Sequence, residues 1–420
     1  MLLSPSINLD DFAISTEHGF LPDGLPLPQL TQPYFAPWED LASQLPHLIQ
    51  TGQIRSLIHS LPILSPSHLR TEPEWRRAYV VLGFLTHAYI WGGEKPKDVL
   101  PPCISKPFLE ISSHLELPAC ATYAALTLWN YKSSDPKSEL TNPDTISLLT
   151  SFTGTRDEEW FIVISVAIEA RGAKLVPLML DAIAAANAHD APRLAALLCR
   201  FTDGLRELNA ILKRMYEHCA PAVFFHQLRP FLAGSKNMST AGLPDGVFYD
   251  VGAGHGEWHQ YSGGSNAQSS LIQTFDIFLG VNHSATAEMR PSGTGYIQEM
   301  RKYMPAPHRR FLETLSALST VRSFIMSSHA DSPAKEAYNA AVLTLSAFRD
   351  THIQIVSRYI ITPARSRAPV EQARSNRVNL ASPSAGAQNE TNPTGLYGTG
   401  GTSLIPFLKQ TRDTTKAATC

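Results

Sequence analysis

Between Ser332 and Pro363 the chain carries a hydrophobic stripe that a strand could not use. Tyr338, Ala341, Leu345, Phe348, His352, Ile355 and Tyr359 recur at alternating steps of three and four, which places them on one face of an α-helix. Ser332 and Pro333 read as an N-cap followed by a proline at the first helical position. Pro363 reads as the stop, so the pattern predicts a helix of about 30 residues. An element of this kind buries its stripe among other helices. His352 then points into a core, where a lone histidine is ordinarily a buried, hydrogen-bonded side chain.

The rest of the chain continues the helical pattern. Residues 72–92, 117–131, 157–187, 191–217, 219–233, 269–280, 296–303 and 308–318 read as helices, many rich in Ala and Leu, while prolines break the first 70 residues into short pieces. Few segments alternate with period two, so the fold class is mostly α: a large helical domain plus a smaller, mainly helical N-terminal domain. "SSDPKSELTNPDTIS" (133–147) reads as a linker, which divides the chain into residues 1–150 and 151–420. Residues 363–400 are polar and nearly free of bulky apolar groups until "GTGGTSLIPFLK" returns the chain to the body. A loop bounded in this way is expected to be a mobile active-site lid.

Composition narrows the function. Lys plus Arg number 35 against 37 for Asp plus Glu, so no basic field points to nucleic acid and a small-molecule partner is expected. Five widely spaced cysteines without a CxxC argue against a disulfide framework and a thiolate metal site. The N-terminus lacks a basic and apolar leader and no run of about 18 apolar residues occurs, so a cytoplasmic protein without a membrane span is expected. The sequons at Asn237, Asn282 and Asn389 are then accidental.

One motif points elsewhere. "GVFYDVGAGHGEW" (246–258) has the apolar run, acid and glycines of the first loop of an S-adenosylmethionine-dependent methyltransferase, resting on Gly252, Gly254 and Gly256. Such a loop must open into a helix packed on a parallel sheet, yet "EWHQYSGGSN" follows, so these glycines read as turn residues. "GTGGT" (398–402) has no following Lys-Ser or Lys-Thr and is not a phosphate loop.

The most specific text is "GGSNAQSSLIQTFDIFLGV", "YIQEMRKYMPAPHRRFLETL" and "FRDTHIQIVSRYIITPA", together with "WFIVISVAIEA", "FFHQLRPFLAG" and "YGTGGTSLIPFLK". In order from about Leu115 to Thr415, these resemble the indoleamine 2,3-dioxygenase family. The resemblance implies a monomeric, largely helical haem b enzyme, ferrous when active and kept so by an unidentified reductant. It implies cleavage of the indole C2–C3 bond of L-tryptophan with O2 to give N-formylkynurenine, at the head of the kynurenine pathway.

Carried over residue by residue, the resemblance makes His352 the proximal iron ligand, and pairs Arg349 with Asp276 near a haem propionate, where a cation offsets a buried anion. Phe224 matches the ring that packs the indole and Arg229 the guanidinium that binds the substrate carboxylate, in a fork that lysine would not give. The spacing of four places Phe225 and Arg229 on one face, with Phe224 a step around it, and likewise lets Phe161 and Ser165 share the distal side. Tyr123 matches a distal aromatic, Gly264 and Ser265 match groups near the propionate and substrate, and Thr399 falls in the loop over the amino acid. No acid or base is implied, since the protein mainly positions two substrates. Asn266 stands where a small residue is common, Leu126 where a cysteine is, and "VNHSATAEMRPSGTGY" adds residues. These departures bear on substrate affinity and leave room for a haem-sensing paralogue with little turnover. Retention of Phe224, Arg229, Ser165 and Thr399 counts against that alternative, because a sensor needs no carboxylate clamp.

Overall fold

Apolar residues at helical spacing, closed off by local caps, build nearly all of the regular structure. A computed structural model describes residues 7–134, 139–283, 295–327, 329–365 and 404–420, without the Thr240 side chain. Its main helices are α1 (Glu72–Trp91), α2 (Pro102–His114), α3 (Arg156–Gly172), α4 (Leu175–Asn187), α5 (Ala191–Lys213), α6 (Ser270–Phe278), α7 (Ala306–Leu318), α8 (Ser332–Val356) and α9 (Leu404–Lys416). Thr155 caps α3 by accepting from the Glu158 N–H at 3.2 Å, and Asp190 caps α5 by accepting from Arg193 at 3.1 Å. The larger helical part centres on α8, which packs along α5 and against α9, while α5 also supports α3 and α4. The smaller one consists of α1, α2 and the proline-broken turns before them. Among the described residues no helix is long and apolar enough to cross a membrane.

The structure corrects the expected helix boundaries. Asp331, not Ser332, caps α8 by accepting from the Ala334 N–H at 2.9 Å. Pro363 does not stop the helix: the path continues as a π-turn (Ser357–Ile361) and a last turn, Thr362–Arg365. The Thr362 N–H reaches back five residues to the Ser357 carbonyl. That wider turn accommodates a proline, which brings no N–H and would crowd the carbonyl four residues back in a regular helix. The segment expected to be a loop from 363 therefore begins helical, and residues 366–400 lie outside the described ones.

Residues 117–131 are not a helix either, apart from the π-turn Ala124–Leu128. Short-range turns such as Thr122 N–H to the Cys120 carbonyl replace a helical ladder, and distant side chains take up several of the remaining backbone groups. Tyr79 donates to the carbonyls of Pro118 (2.7 Å) and Cys120 (3.0 Å), Tyr249 donates to Ala119 (2.5 Å), and the Ala121 N–H donates to His87 Nε2 (3.0 Å). Residues 219–233 split into Pro221–Val223, a π-turn Phe224–Leu228 and Arg229–Leu232. The flanks of the expected linker pair with each other as an antiparallel ladder, Tyr131–Ser133 against Ile146–Leu148. The glycine motif at 246–258 is a β-hairpin, Val247–Gly252 against His255–His259. Positive φ at Gly252, Ala253 and Gly254 makes its turn. The glycine turn opens into the second strand and not into a helix, which removes the basis for a nucleotide loop.

Two buried polar links hold the smaller part to the larger. His87 donates from Nδ1 to the Phe231 carbonyl at 2.7 Å, and Trp91 Nε1 donates to Ala233 at 3.0 Å, so α1 fixes the segment that carries Arg229. Burial holds His87 down at about 4, which keeps the imidazole neutral with one donor and one acceptor nitrogen. Arg77 forks onto Glu39 at 2.9 and 2.6 Å and reaches Thr150 at 3.0 Å, with both charged side chains 4% exposed. Removing one partner of this pair strands the other charge. Glu39→Ala is expected to cost about 3–5 kcal/mol in urea unfolding, and the double variant Glu39→Leu/Arg77→Met to recover most of that. A loss below about 1 kcal/mol in the single variant would show that the pair is not essential.

Candidate functional site

Three of the helical irregularities just described border one cavity. Its larger lobe has a volume of about 170 Å³ and is lined in part by the π-turns at 124–128, 224–228 and 357–361. A π-turn advances the register, so Phe224 and Arg229, five residues apart, both face the lobe. A second lobe of about 120 Å³ shares Tyr123, Ser165, Asn266 and His352 with the first. His352 thus stands between the two.

The residues expected to act together do meet here. Phe161, Ser165, Tyr123, Phe224, Arg229, Gly264, Ser265 and His352 all border the larger lobe, and Arg349 and Asp276 border the smaller one. Phe161 and Phe224 lie with ring centroids 4.9 Å apart at 55°, and Tyr359 meets Phe224 edge-on at 5.7 Å. Tyr359 is itself anchored by donating to the Cys219 carbonyl at 2.7 Å. Phe225 does not line the cavity; its ring lies 5.8 Å from the Arg229 guanidinium. Arg229 is 2% exposed, and burial lowers its pKa to about 10, so it remains a cation at neutral pH. Thr399 lies outside the described residues, as do residues 284–294 of the extra segment.

Glycines bring the opposite wall into range. A Cβ on Gly234 or Gly263 would overlap the backbone of the other strand of this crossing, so only glycine lets 261–265 run against the end of the Arg229 segment. A Cβ on Gly264 would overlap Leu126, so the leucine and the glycine share one space at the cavity wall. Gln268 closes this region, donating to the Gly263 carbonyl at 2.9 Å and accepting from the Tyr123 N–H at 2.8 Å. Gln268 and Glu169 were not picked out from the sequence. The available signal was a polar residue in an apolar helical run, as in "ISVAIEA".

At the other end, Arg349 Nη2 contacts both oxygens of Asp276 at 2.7 Å, and its Nη1 bonds to Thr415. His283 Nε2 lies 3.1 Å from the same carboxylate. Burial pushes the Asp276 carboxyl up, but the Arg349 charge, then His283, outweigh it and hold it below the ordinary range.

His352 makes no hydrogen bond to any described residue, although it borders both lobes. Burial, then the Arg349 charge, lower it to about 4. A neutral imidazole with an uncommitted nitrogen facing an apolar cavity fits a residue that would hold a haem iron. Among the described residues no three His, Cys, Asp or Glu side chains converge as a metal cage. A haem site would not need one, because the porphyrin brings most of the iron's ligands itself.

The family model described as indoleamine 2,3-dioxygenase matches residues 8–418. The chain belongs to the indoleamine 2,3-dioxygenase family. It is 42% identical over 419 residues to an indoleamine 2,3-dioxygenase of Penicillium citrinum, covering 99% of this chain and 89% of that protein. It is 41% identical over 433 residues to the indoleamine 2,3-dioxygenase of Saccharomyces cerevisiae, covering 97% and 93%. A 6-hydroxytryptophan 2,3-dioxygenase of Fusarium equiseti is 39% identical over 408 residues, covering 97% and 96%. Indoleamine 2,3-dioxygenases are haem-dependent dioxygenases of tryptophan and related indoles, so the chain is supported as an enzyme of this general type.

The Arg349–Asp276 pair at one end of the cavity makes a pH-dependent prediction. Because the Asp276 carboxyl is depressed in the folded state, its stabilisation is present above the ordinary carboxylate range and is lost as pH falls through its folded pKa. Asp276→Asn is expected to unfold about 3 kcal/mol more easily than the parent at neutral pH. That gap should close in acid; a gap independent of pH would contradict the assignment.

Proposed function

We propose that this protein is a haem b dioxygenase that inserts O2 across the indole C2–C3 bond of L-tryptophan and releases N-formylkynurenine. One observation carries the reading: His352, Phe161, Ser165, Phe224 and Arg229 border a single cavity. Haem held through His352 would supply the ferrous iron at which O2 is activated. Arg349, paired with Asp276 beside the second lobe, would place a cation near a propionate.

The chain's own side chains then bind and orient. Phe161 and Phe224 form an apolar wall that takes the indole and excludes water. Arg229, already dehydrated and cationic, receives the substrate carboxylate in a bidentate fork. Ser165 offers one hydroxyl on that wall. Tyr123 stays protonated, since burial, then the charge of Glu169, raise its phenol well above the ordinary value. No general base is assigned; the contribution of the protein is proximity and orientation of two substrates. A haem sensor would gain nothing from a buried carboxylate clamp, which costs desolvation.

A ring-hydroxylated tryptophan is the second substrate reading, favoured by Asn266, an amide bordering both lobes, and by the 6-hydroxytryptophan named for the Fusarium relative. Kinetics with both substrates decide between them. For either, His352→Ala should abolish the Soret band after haem reconstitution. Arg229→Ala should retain that band and lose roughly ten- to hundredfold in kcat/KM, the worth of a charged hydrogen-bonded contact. Unchanged kcat/KM in Arg229→Ala would refute the clamp.

A further inference from the structure

Glu169 lies one turn beyond Ser165 on α3 and is 1% exposed. Its Oε1 accepts from the Tyr123 hydroxyl at 3.0 Å and from Ser269 Oγ at 2.7 Å, while Oε2 has no partner among the described residues. These two donors come from different elements that both border the smaller lobe. Tyr123 begins the π-turn Ala124–Leu128, and Ser269 caps α6, the helix that carries Asp276, by accepting from the Ile272 N–H at 3.4 Å. Tyr123 borders both lobes and Ser269 the smaller one. No described cation pairs with Glu169; the groups that face it are Tyr123 and Ser269 alone.

We propose that Glu169 is a positioning residue of the substrate pocket, whose ionised carboxylate clamps Tyr123 and Ser269 together and whose protonation loosens that clamp and weakens substrate binding. The inference rests on the dioxygenase reading. As a carboxylate, Oε1 receives two charge-assisted bonds. A proton weakens both and adds an O–H at Oε2 that finds no acceptor. Burial raises the carboxyl to about 7, against the lowering effect of Ser269 and then Tyr123, so the change falls in the neutral range. The sign for stability is fixed as well. A carboxyl raised on folding contributes stability below its unfolded pKa and loses it as pH rises through the folded value, so the ionised clamp is held at a cost to the fold.

The test uses the full chain loaded with haem, with L-tryptophan affinity read from the Soret shift across pH. The parent should bind about five- to tenfold more weakly as pH falls through about 7. Glu169→Gln should show the weakened affinity at every pH, with a flat profile and a change in KM larger than in kcat. Ser269→Ala removes a bond that lowers the carboxyl, so its acid limb should move to higher pH. A second readout needs neither haem nor turnover: infrared difference spectra of the haem-free protein should show a protonated-carboxyl band titrating near neutrality and missing in Glu169→Gln. Should Glu169→Gln fail to fold, Ser269→Ala and the infrared band of the parent decide. Identical pH profiles and affinities in parent and variants, or no such band, would overturn the proposal. A band that titrates as described in a protein that neither binds nor converts tryptophan would refute the dioxygenase reading instead.

Discussion

The buried ion pair between Arg349 and Asp276 is the contact on which the site's architecture depends. It joins α8 to α6, and through Thr415 it brings in α9, so three helices that wall the cavity share one charged node. Either charge alone in that interior would cost several kcal/mol, whereas the pair with its extra hydrogen bonds is tolerated. His352 follows Arg349 by one turn, so fixing Arg349 also fixes where the imidazole points. The same positive charge helps burial keep that imidazole neutral.

The far side of the cavity is held by different means. Neutral hydrogen bonds from His87 and Trp91 to the carbonyls of Phe231 and Ala233 lock the Arg229 segment onto α1. Close backbone approach at Gly234 and Gly263 then sets the distance to the 261–265 segment. Arg229 sits at the junction of these constraints, its guanidinium over Phe225 and its burial complete. A cation dehydrated in advance would bind a carboxylate with little further reorganisation, as the proposed clamp requires.

Much of this was legible from residue order. The stripe from Tyr338 to Ile355 read as one helical face turned to the core and is one, with His352 half-buried at the cavity and Tyr359 carried on into the π-turn, and the spacing of Phe161 and Ser165 put both on the cavity. Local pattern failed where tertiary groups bond to the backbone. Residues 117–123 have helical composition, but Tyr79, Tyr249 and His87, far away in sequence, bond to their peptide groups. The π-turns were invisible for the same reason: nothing in "FFHQLRPF" reports that the turn widens to bring Phe224 and Arg229 onto one wall. Pro363 misled because a wider turn ahead of it accommodates its ring. Glu169 was overlooked as a single acid in an apolar helix, although a buried carboxyl held by hydroxyl donors without a described cation is the kind of local cost that often marks a functional position.

The proposed reaction requires that one cavity hold a haem through His352 and an indole beside it. A single turnover of the reduced, haem-loaded protein with L-tryptophan under oxygen-18 gas, followed by mass spectrometry of the product, tests it most directly. The account predicts N-formylkynurenine carrying both heavy oxygen atoms, and none from His352→Ala. A product with one labelled atom, or a stable haem complex that forms no product, would contradict it.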